Sequence, residues 1–130
     1  MLSITSKSPY ALNALVELHG RGDTGPVPIA DLAHARGIPV QFLEQLFATL
    51  RRAGVLRSQR GVKGGYVFAR PANEVTVLEV VELLDGTVGA DATGVFADAA
   101  KAARAVLAAS TIADVAEREV QAGRAPMYHI

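Results

Sequence analysis

The chain of 130 residues contains no cysteine. This absence excludes disulfide bridges, cysteine nucleophiles and every metal or iron–sulfur site whose ligands are thiolates. The three histidines, His19, His34 and His129, are scattered, which is more typical of surface or partly packed side chains than of ligands. Because the sequence also lacks a nucleophile constellation and a paired-carboxylate signature, we expect neither an enzyme nor a bound cofactor.

The chain also lacks a long apolar segment, although 50% of its residues are hydrophobic. No stretch approaches the ~18 consecutive apolar residues of a membrane-spanning helix. Residues Met1 to Thr5 carry neither the basic cluster nor the apolar segment of a secretory signal. We therefore expect a soluble, cytoplasmic protein that does not bind membranes and forms one compact domain, or one domain with a dimerising extension.

The chain has no net charge, because 13 basic residues balance 13 acidic ones. The two signs of charge are, however, distributed unevenly along the chain. Residues 1–73 hold nine Lys/Arg and four Asp/Glu, a net charge of +5, whereas residues 74–130 hold four and nine, a net charge of −5. The segment from Gln45 to Asn73 contains no acidic residue and six basic ones, namely Arg51, Arg52, Arg57, Arg60, Lys63 and Arg70. Such a stretch can neutralise phosphates, although a solvated basic face has the same composition.

Three helices are predicted in the first half of the chain. The first runs from about Ser8, a possible N-cap, to Gly20, and a second, short helix from Pro28 to Arg36. Gly37 then provides a sharp turn, and a longer helix runs from Pro39 to about Ala53. This arrangement is typical of a helix-turn-helix, in which the N-terminal residues of the second helix meet base edges, although any helical hairpin shares it.

The two faces of the longer helix differ in chemistry. Its predicted buried face carries Phe42, Leu43, Leu46, Phe47 and Leu50. Its other face carries Val40, Gln41, Glu44 and Gln45. An amphipathic helix of this kind packs on a core and leaves its polar face free for a partner.

A β-hairpin is predicted after this helix. Gly54 ends the helix, residues 55–59 form a strand, the glycine-rich segment Gly61 to Gly65 turns, and residues 66–69 return. Arg60 and Lys63 lie at the tip. A narrow minor groove attracts an inserted cation, so the hairpin is predicted to be a DNA-binding wing.

The rest of the chain is predicted to be helical. Thr76 caps a helix that ends at Asp85, residues 86–94 form an exposed linker, an alanine-rich helix extends from about Val95 to Ala109, and a short helix begins at Thr111. The alanine-rich helix carries an apolar stripe of Phe96, Ala99, Ala103 and Val106. This stripe suits a partner helix in a homodimer, although packing within one chain explains the same spacing.

These patterns give four expected regions. Residues 1–85 form a winged helix-turn-helix DNA-binding domain, 86–94 a linker loop, 95–122 a dimerisation helix region and 123–130 a tail. The predicted fold is therefore mainly α with a small β-hairpin, extended by a long C-terminal dimerisation helix.

The sequence resembles the winged-helix regulators of the IscR, NsrR and CymR type, the Rrf2 family, over roughly residues 3–118. The later helices, residues 76–81 and 111–115, take part in this resemblance. The most specific block comprises Phe42 to Phe47, Leu50 to Ser58, Arg60-Gly61 and Gly64-Gly65-Tyr66.

The resemblance implies a homodimer whose long C-terminal helices cross, whose recognition helices enter successive major grooves of a palindromic operator, and whose wings reach the minor grooves. It places Gln41 and Glu44 where the family reads bases or phosphates, and Arg60 at the wing arginine. The expected DNA-binding residues are Pro39, Val40, Gln41, Glu44, Gln45, Arg51, Arg52, Arg57, Arg60, Gly61 and Lys63.

This sequence departs from the family pattern at two places. Pro39 and Gln41 occupy positions where relatives often carry small hydroxyl residues, so the operator is expected to differ. Cluster-binding relatives carry cysteines in the loop that corresponds to residues 86–94, and this loop has none. The chain is therefore expected to be a cysteine-free member that does not sense through an iron–sulfur cluster.

We expect a sequence-specific DNA-binding transcriptional regulator. Repression is favoured because so small a dimer offers little surface for contacting polymerase. Its signal would be a protein partner or a small-molecule effector, the latter in a pocket near Leu83, Leu84, Val88 and Phe96. The alternative is a winged-helix protein-interaction module without DNA binding, for which net neutrality is the best argument.

Overall fold

The computed structural model describes residues 4–22, 24–60 and 64–124. The mainly helical fold with one small hairpin is confirmed. None of the helices described in these ranges is long and apolar enough to cross a membrane. In chain order the elements are α1 Lys7–Gly20, α2 Ile29–Arg36, α3 Val40–Arg52, β1 Leu56–Gln59, β2 Gly65–Phe68, α4 Val77–Asp85, α5 Gly94–Ala108 and α6 Ile112–Arg124, with a 3₁₀ turn at Ala72–Glu74 between β2 and α4.

Helix α1 begins one residue before the predicted cap. Ser8 is not an N-cap, because it is buried within the helix and donates its hydroxyl to the carboxylate of Asp85. Thr5 donates to the other oxygen of the same carboxylate. These bonds fasten the start of α1 to the end of α4, 77 and 80 residues away, a pairing that helical periodicity does not reveal.

Two glycines end the helices of the helix-turn-helix. Gly37 adopts φ 64°, and the amide of Ile38 donates to the carbonyl of Ala33 at 2.9 Å. Gly54 adopts φ 82°, and the amide of Val55 donates to the carbonyl of Leu50 at 3.0 Å. Both turns have the hydrogen bond of a Schellman motif, whose left-handed residue favours glycine. They reverse the chain sharply on either side of α3.

The hairpin pairs β1 with β2 in antiparallel register, with Leu56 opposite Phe68 and Gln59 opposite Gly65. β1 begins one residue later than predicted, and β2 begins and ends one residue earlier. Val27, in the connection between α1 and α2, pairs with Tyr66 in a single antiparallel bridge beside β2. A Cβ at Gly65, where φ is 146°, would lie 2.3 Å from the carbonyl of Val27, so this approach requires glycine.

The main core lies between α1, α2, α3 and α6. Its largest fully buried side chains include Leu15, Leu32, Leu43, Phe47, Leu50 and Ile112. Edge-to-face aromatic pairs join Tyr10 to Phe42, with ring centroids 5.6 Å apart, and Phe47 to Tyr66, with centroids 5.2 Å apart. Since Phe47 lies on α3 and Tyr66 on β2, the core itself fixes the hairpin against α3.

A second cluster forms where α4 meets α5. Val77, Val81 and Val88 are buried, and Ala103 and Leu107 pack against them. The segment 86–94 is therefore not the fully exposed linker predicted, because Val88 enters this cluster. Gly89 lies so close to α5 that a Cβ there would be 2.2 Å from the Cβ of Ala100. Although the composition of the segment is typical of an exposed loop, removal of the Val88 side chain from water favours its packing against α4 and α5.

Helix α5 and the segments that flank it are tied to α4. Glu82 of α4 accepts hydrogen bonds from Arg104, in the second half of α5, and from the amide of Val88, which precedes α5. Beyond its end, the amide of Val77 donates to the carbonyl of Ser110 at 2.9 Å. Thr76 caps α4 as predicted, accepting from the amide of Glu79 at 3.1 Å. The four-region division stays a prediction.

A network of charged side chains lies where α6 and α2 pack beside α1. Arg36, at the end of α2, donates to Glu119 of α6 at 2.7 and 2.8 Å, and to Glu17 of α1 at 3.0 Å. Arg21 donates to the other oxygen of Glu17 at 2.7 Å. The bond from Arg21 lowers the pKa of Glu17, and the bond from Arg36 lowers the pKa of Glu119. The network thus joins three helices beside the helix-turn-helix.

Candidate nucleic-acid interface

Helix α3 presents one uncovered face. One side of α3 is buried in the core and carries Leu43, Leu46, Phe47 and Leu50, with Phe42 partly buried. The opposite side chains are exposed at Val40, Gln41, Glu44, Gln45, Arg51 and Arg52. At 100° per residue, the exposed positions fall within about half of the helix circumference. The side chains expected to meet DNA therefore share one face.

This face begins at the helix-turn-helix turn. Pro39 is exposed and directly precedes α3, with φ −59° and ψ 128°. Val40 occupies the first helical position and is 39% exposed although it is apolar. Gln41 and Glu44 lie one turn apart on the same side. Together these residues present an apolar group, an amide and a carboxylate, which are the groups that read thymine methyl, adenine and cytosine.

Cations occupy the end of α3 and the hairpin. Arg51 and Arg52 lie in the last turn of α3, and Arg57 and Arg60 lie on β1 and directly after it. All four are exposed. Arg60 borders a cleft of 420 Å³ between the hairpin and the first residues of α2, together with Pro28 and Ile29. Gly61 and Lys63, also expected at the interface, lie outside the described residues.

The arginines of the chain differ in their carboxylate partners. Within the described ranges, salt bridges involve Arg21, Arg36, Arg70 and Arg104, and none involves Arg51, Arg52, Arg57 or Arg60. Arg70 belongs to the acid-free stretch but donates to Glu79 at 2.5 Å, and this bond raises its pKa. Arg52 donates one hydrogen bond, to the hydroxyl of Thr49 at 3.3 Å. The remaining donors of these four described arginines are available for an external anion.

The structure adds residues that sequence reasoning missed. Lys7, at the start of α1, is exposed and borders a cavity of 160 Å³ with Gln45 and Thr49 of α3. Ser58 and Gln59 are exposed beside Arg57 and Arg60. The hydroxyl and amide types of these residues offered a weak signal. The position of Lys7 beside α3 depends on tertiary packing, so no sequence signal could have identified it.

The proposed dimer helix α5 also has an uncovered side. Val95, Phe96 and Val106 are 72%, 67% and 70% exposed, and Ala99 is exposed. Ala103 is half-buried and packs on the second cluster, so it lies at the inner edge of the predicted stripe. The role of Phe96, Ala99, Ala103 and Val106 in dimerisation stays a prediction.

The four residues expected around an effector pocket are separated. Leu83 and Leu84 border the 160 Å³ cavity beside α3, Val88 is buried in the second cluster, and Phe96 is exposed. None of the cavities described above is lined by all four residues, because Val88 is buried and Phe96 is exposed. The effector pocket stays a prediction.

Residues 4–93, more than half of the chain, match the Rrf2 family, described as iron-dependent transcriptional regulators. The chain is 40% identical over 89 residues to the HTH-type transcriptional regulator IscR of Klebsiella pneumoniae, which covers 68% of this chain and 55% of the relative. IscR of Escherichia coli is 39% identical over the same length. The chain thus spans about half the length of the curated relatives it matches.

Solved structures show the same fold over most of the chain. IscR of T. potens has a TM-score of 0.82 and 31% identity, covering 93% of this chain and 90% of that one. CymR, the global cysteine regulator of B. subtilis, has a TM-score of 0.81 and 28% identity, covering 91% and 98%. CymR of Staphylococcus aureus has a TM-score of 0.76 and 30% identity, covering 87% and 97%. The winged-helix arrangement is therefore shared along α1 to α6.

The iron of the family description does not fit the donors of this chain. The sequence has no cysteine for an iron–sulfur cluster. Among the residues that the structure describes, no three His, Asp or Glu side chains are grouped so that they could hold a metal ion. We therefore assign no step to iron. Sequence, fold and the uncovered face of α3 agree, and the chain belongs to the Rrf2 family of transcriptional regulators as a member without cysteine.

Proposed function

We propose that this protein binds double-stranded DNA as a sequence-specific transcriptional regulator. The observation that carries the proposal is the uncovered face of α3, whose polar side chains and terminal arginines lack carboxylate partners in the described structure. A helix with one buried and one free polar face, next to a cationic hairpin, matches the shape and charge of a major groove flanked by phosphates.

Each part of this surface has its own role in the proposal. Gln41 and Glu44 contact base edges, since an amide pairs with adenine and a carboxylate accepts from the amino group of cytosine. Arg51 and Arg52 contact phosphates, which fix position without reading sequence. Arg60 enters the minor groove, where the negative potential is strongest when the groove is narrow. Arg57, on β1, strengthens the cationic side of the hairpin.

The regulator acts as a homodimer on a palindromic operator. The exposed apolar side chains of α5 support this proposal, because three large ones are at least 67% exposed on a single helix. Two copies related by a twofold axis present two copies of α3 to two half-sites. Repression follows from occupying the operator, and the signal that releases it is a small molecule or a protein partner.

The proposal is tested by fluorescence anisotropy with labelled duplexes. The duplex is the DNA upstream of the protein's own gene, and a shuffled duplex of equal length is the control. We expect the upstream duplex to bind at least about 10³-fold more tightly, and the affinity to fall with added salt. Equal affinity for both duplexes would contradict sequence-specific recognition. An absence of binding to either would favour the protein-interaction module.

A second measurement tests the assignment of the base-reading residues. Binding sites are selected from a random library with the wild-type protein and with Gln41→Ala. We expect the variant to lose preference at one base pair in each half-site, because the amide that distinguishes adenine is gone. Gln121→Ala is the matched control, since Gln121 is an exposed amide on α6. An identical preference in wild type and Gln41→Ala would remove Gln41 from the base-reading set.

A further inference from the structure

The first turn of α1 lies beside α3 and the end of α4. Three elements border the cavity of 160 Å³ at this place, with Lys7 from α1, Gln45 and Thr49 from α3, and Leu83 and Leu84 from α4. Gln45 is exposed and belongs to the uncovered face of α3. Lys7 is exposed as well, and a lysine can lay its aliphatic stem along a cavity while its ammonium group stays in water. Lys7 therefore lies at the edge of the surface proposed to bind DNA.

Two cations lie along this edge of α3. Arg52 donates to the hydroxyl of Thr49 at 3.3 Å, and Lys7 borders the cavity beside the same threonine. Neither cation forms a salt bridge within the described ranges. A cation beside a helix that reads bases suits a phosphate of the DNA backbone. Such a contact is weakened when the backbone that carries the cation must first be ordered.

Helix α1 begins without the usual stabilising groups. Ser6 occupies the N-cap position, but its side chain accepts no hydrogen bond from the helix, and the first turn contains no acidic residue. The first amides of a helix have no partner within the helix, so an uncapped first turn frays readily. Lys7 is the first residue of this turn. Fraying would move it away from α3.

Asp85, the last residue of α4, provides an anchor for this turn. One oxygen of its carboxylate accepts a hydrogen bond from the hydroxyl of Thr5, and the other accepts from the hydroxyl of Ser8. The hydroxyl oxygen of Thr5 also accepts from the backbone amide of Lys7 at 3.2 Å. Lys7 is thus flanked by two residues that share one carboxylate, and its own amide belongs to the same chain of hydrogen bonds. A negative charge at the start of a helix is further favoured by the helix dipole.

Asp85 carries its charge at neutral pH. Burial opposes the charge, but the hydroxyls of Ser8 and Thr5 and the nearby charge of Lys7 outweigh burial, so the pKa of Asp85 lies below its ordinary value. Hydrogen bonds to a charged acceptor are stronger than those between neutral groups. The carboxylate also repels phosphate through its charge. Asp85 therefore acts on DNA binding in two opposite ways, because its charge weakens binding and its hydrogen bonds order Lys7.

We propose that Asp85 is a positioning residue for DNA binding, which holds the first turn of α1 through Thr5 and Ser8 so that Lys7 contacts a phosphate beside α3. The inference rests on the DNA binding of the proposed function and adds one backbone contact to it. The contact strengthens binding to every DNA sequence alike, because phosphates carry no sequence information. It also makes the affinity for DNA depend on α4, a helix that supplies no residue to the proposed interface.

Asp85→Asn separates the two effects of the carboxylate, because they have opposite signs. The substitution removes a negative charge, which by itself would strengthen binding to DNA. It also weakens the hold on the first turn of α1. We expect the affinity to fall by about two- to fivefold, the size of one exposed ion pair, for the operator and the shuffled duplex alike. Asp91→Asn is the matched control, since Asp91 is an exposed acid on the segment 86–94, and its affinity should equal or exceed that of wild type.

Lys7→Met tests the phosphate contact itself. The substitution keeps the length of the side chain and removes the charge. We expect the slope of log affinity against log salt concentration to become shallower by about 0.9, the contribution of one phosphate. Lys7→Arg should restore the wild-type slope, because it restores the charge. Lys101→Met, at an exposed lysine on α5, is the matched control and should leave the slope unchanged.

The double variant Lys7→Met/Asp85→Asn tells a positioning role from a general loss of structure. If Asp85 acts through Lys7, Asp85→Asn should cause no further loss of affinity once Lys7 is replaced. An equal loss with and without Lys7 would overturn the positioning role. Circular dichroism checks that each variant is folded. If Asp85→Asn does not fold, Thr5→Val takes its place, since it removes the link from the amide of Lys7 to Asp85 at an exposed residue of the same shape.

The same titrations distinguish failure of this inference from failure of the proposed function. If wild type prefers the operator while Lys7→Met and Asp85→Asn both bind as tightly as wild type, the positioning role is overturned and the proposed function stands. An affinity of Asp85→Asn that rises as in Asp91→Asn would likewise overturn it, because only the charge would then matter. If wild type binds neither duplex, both the proposed function and this inference are overturned.

Discussion

The arginines of α3 and β1 and the arginines that face α4 and α6 have the same side chain but different surroundings. Arg36 and Arg104 each meet a glutamate from a distant part of the chain, and Arg70 meets Glu79. Arg51 and Arg60 lie on a surface where the described structure has no salt bridge to them. The first group joins separate elements of the fold to one another, and the second leaves its charge for an external anion.

This difference explains how a chain of zero net charge can carry a surface suited to the DNA binding that we propose. The acidic residues are concentrated after residue 73, and several of them are already engaged by arginines in the fold. The surface of α3 and β1 therefore keeps a local positive charge that the total hides. Net charge predicts solubility and long-range attraction, whereas the distribution of charge predicts where a phosphate backbone can bind. Four predictions test the separation between these two groups of arginines.

The largest effect is expected on stability from Arg36→Met. The substitution keeps the aliphatic stem but removes the hydrogen bonds to Glu17 and Glu119, and it leaves two carboxylates near each other. We expect the free energy of unfolding to fall by about 1.5 to 3 kcal/mol, as for hydrogen bonds to charged groups. Urea denaturation followed by circular dichroism measures it. Arg57→Met is the control and should change stability by less than about 0.5 kcal/mol. Equal losses in both variants would contradict the proposed separation.

The reverse pattern is expected for Arg60→Ala. Its operator affinity should fall by about 1 to 3 kcal/mol, because the cation that enters the minor groove is lost. Its unfolding midpoint should match that of wild type, since Arg60 is exposed and lacks a salt bridge in the described structure. Arg70→Gln, at an arginine held by Glu79, is the control in the anisotropy titration. Unaltered affinity of Arg60→Ala would exclude Arg60 from the interface.

A smaller effect is expected for Arg51→Ala. A phosphate contact contributes to every DNA sequence alike, so the affinities for operator and random DNA should fall by the same factor. The slope of log affinity against log salt concentration should become shallower by about 0.9, the contribution of one phosphate. Titrations at four salt concentrations measure this slope. If the slope is retained while operator preference falls, Arg51 contacts bases instead of the backbone.

The smallest effect is expected from acid. The pKa values of Glu17 and Glu119 are lowered by their hydrogen bonds to Arg21 and Arg36. A carboxylate with a lowered folded-state pKa stabilises the folded protein above its unfolded pKa, about 4.3 for glutamate. This contribution is lost as the pH falls through the folded-state pKa. We therefore expect stability to decrease from about pH 5 downward.

Glu119→Gln should flatten this dependence, because it removes one of the two titrating groups. Glu117→Gln, two residues earlier on the exposed side of α6, is the matched control and should behave as wild type. Unfolding midpoints at pH 3.5 to 7 make the comparison. A pH dependence that is the same in Glu119→Gln and wild type would place the acid sensitivity outside the Arg36 network.

Local pattern was sufficient for the elements that carry the site. The spacing of apolar residues predicted α3 within one residue at each end, and the glycines predicted the turns at Gly37 and Gly54. These features depend on neighbours within one or two helical turns. Helix periodicity and the left-handed conformation of glycine are properties of such short segments, so a sequence reveals them directly.

Other features required the tertiary structure. Val88 lies in a loop-like sequence but is buried, and Ser8 has the sequence context of a cap but bonds to Asp85 instead. On α5, the predicted apolar stripe included Ala103, and contact with α4 decided that Ala103 faces inward while its neighbour Ala102 is exposed. Periodicity relates side chains to the axis of their own helix and does not state which neighbour covers each side.

The sequence alone determined the helix-turn-helix with its hairpin, the acid-free stretch and the absence of thiolate ligands. Only the tertiary structure decided which arginines are held by carboxylates and which remain available to an external anion. Arg36 and Glu119 are 83 residues apart, yet their side chains lie 2.7 Å from each other. Such a pair exists because the packing of the core brings α2 and α6 together, and burial of apolar area, not the charges, determines that packing.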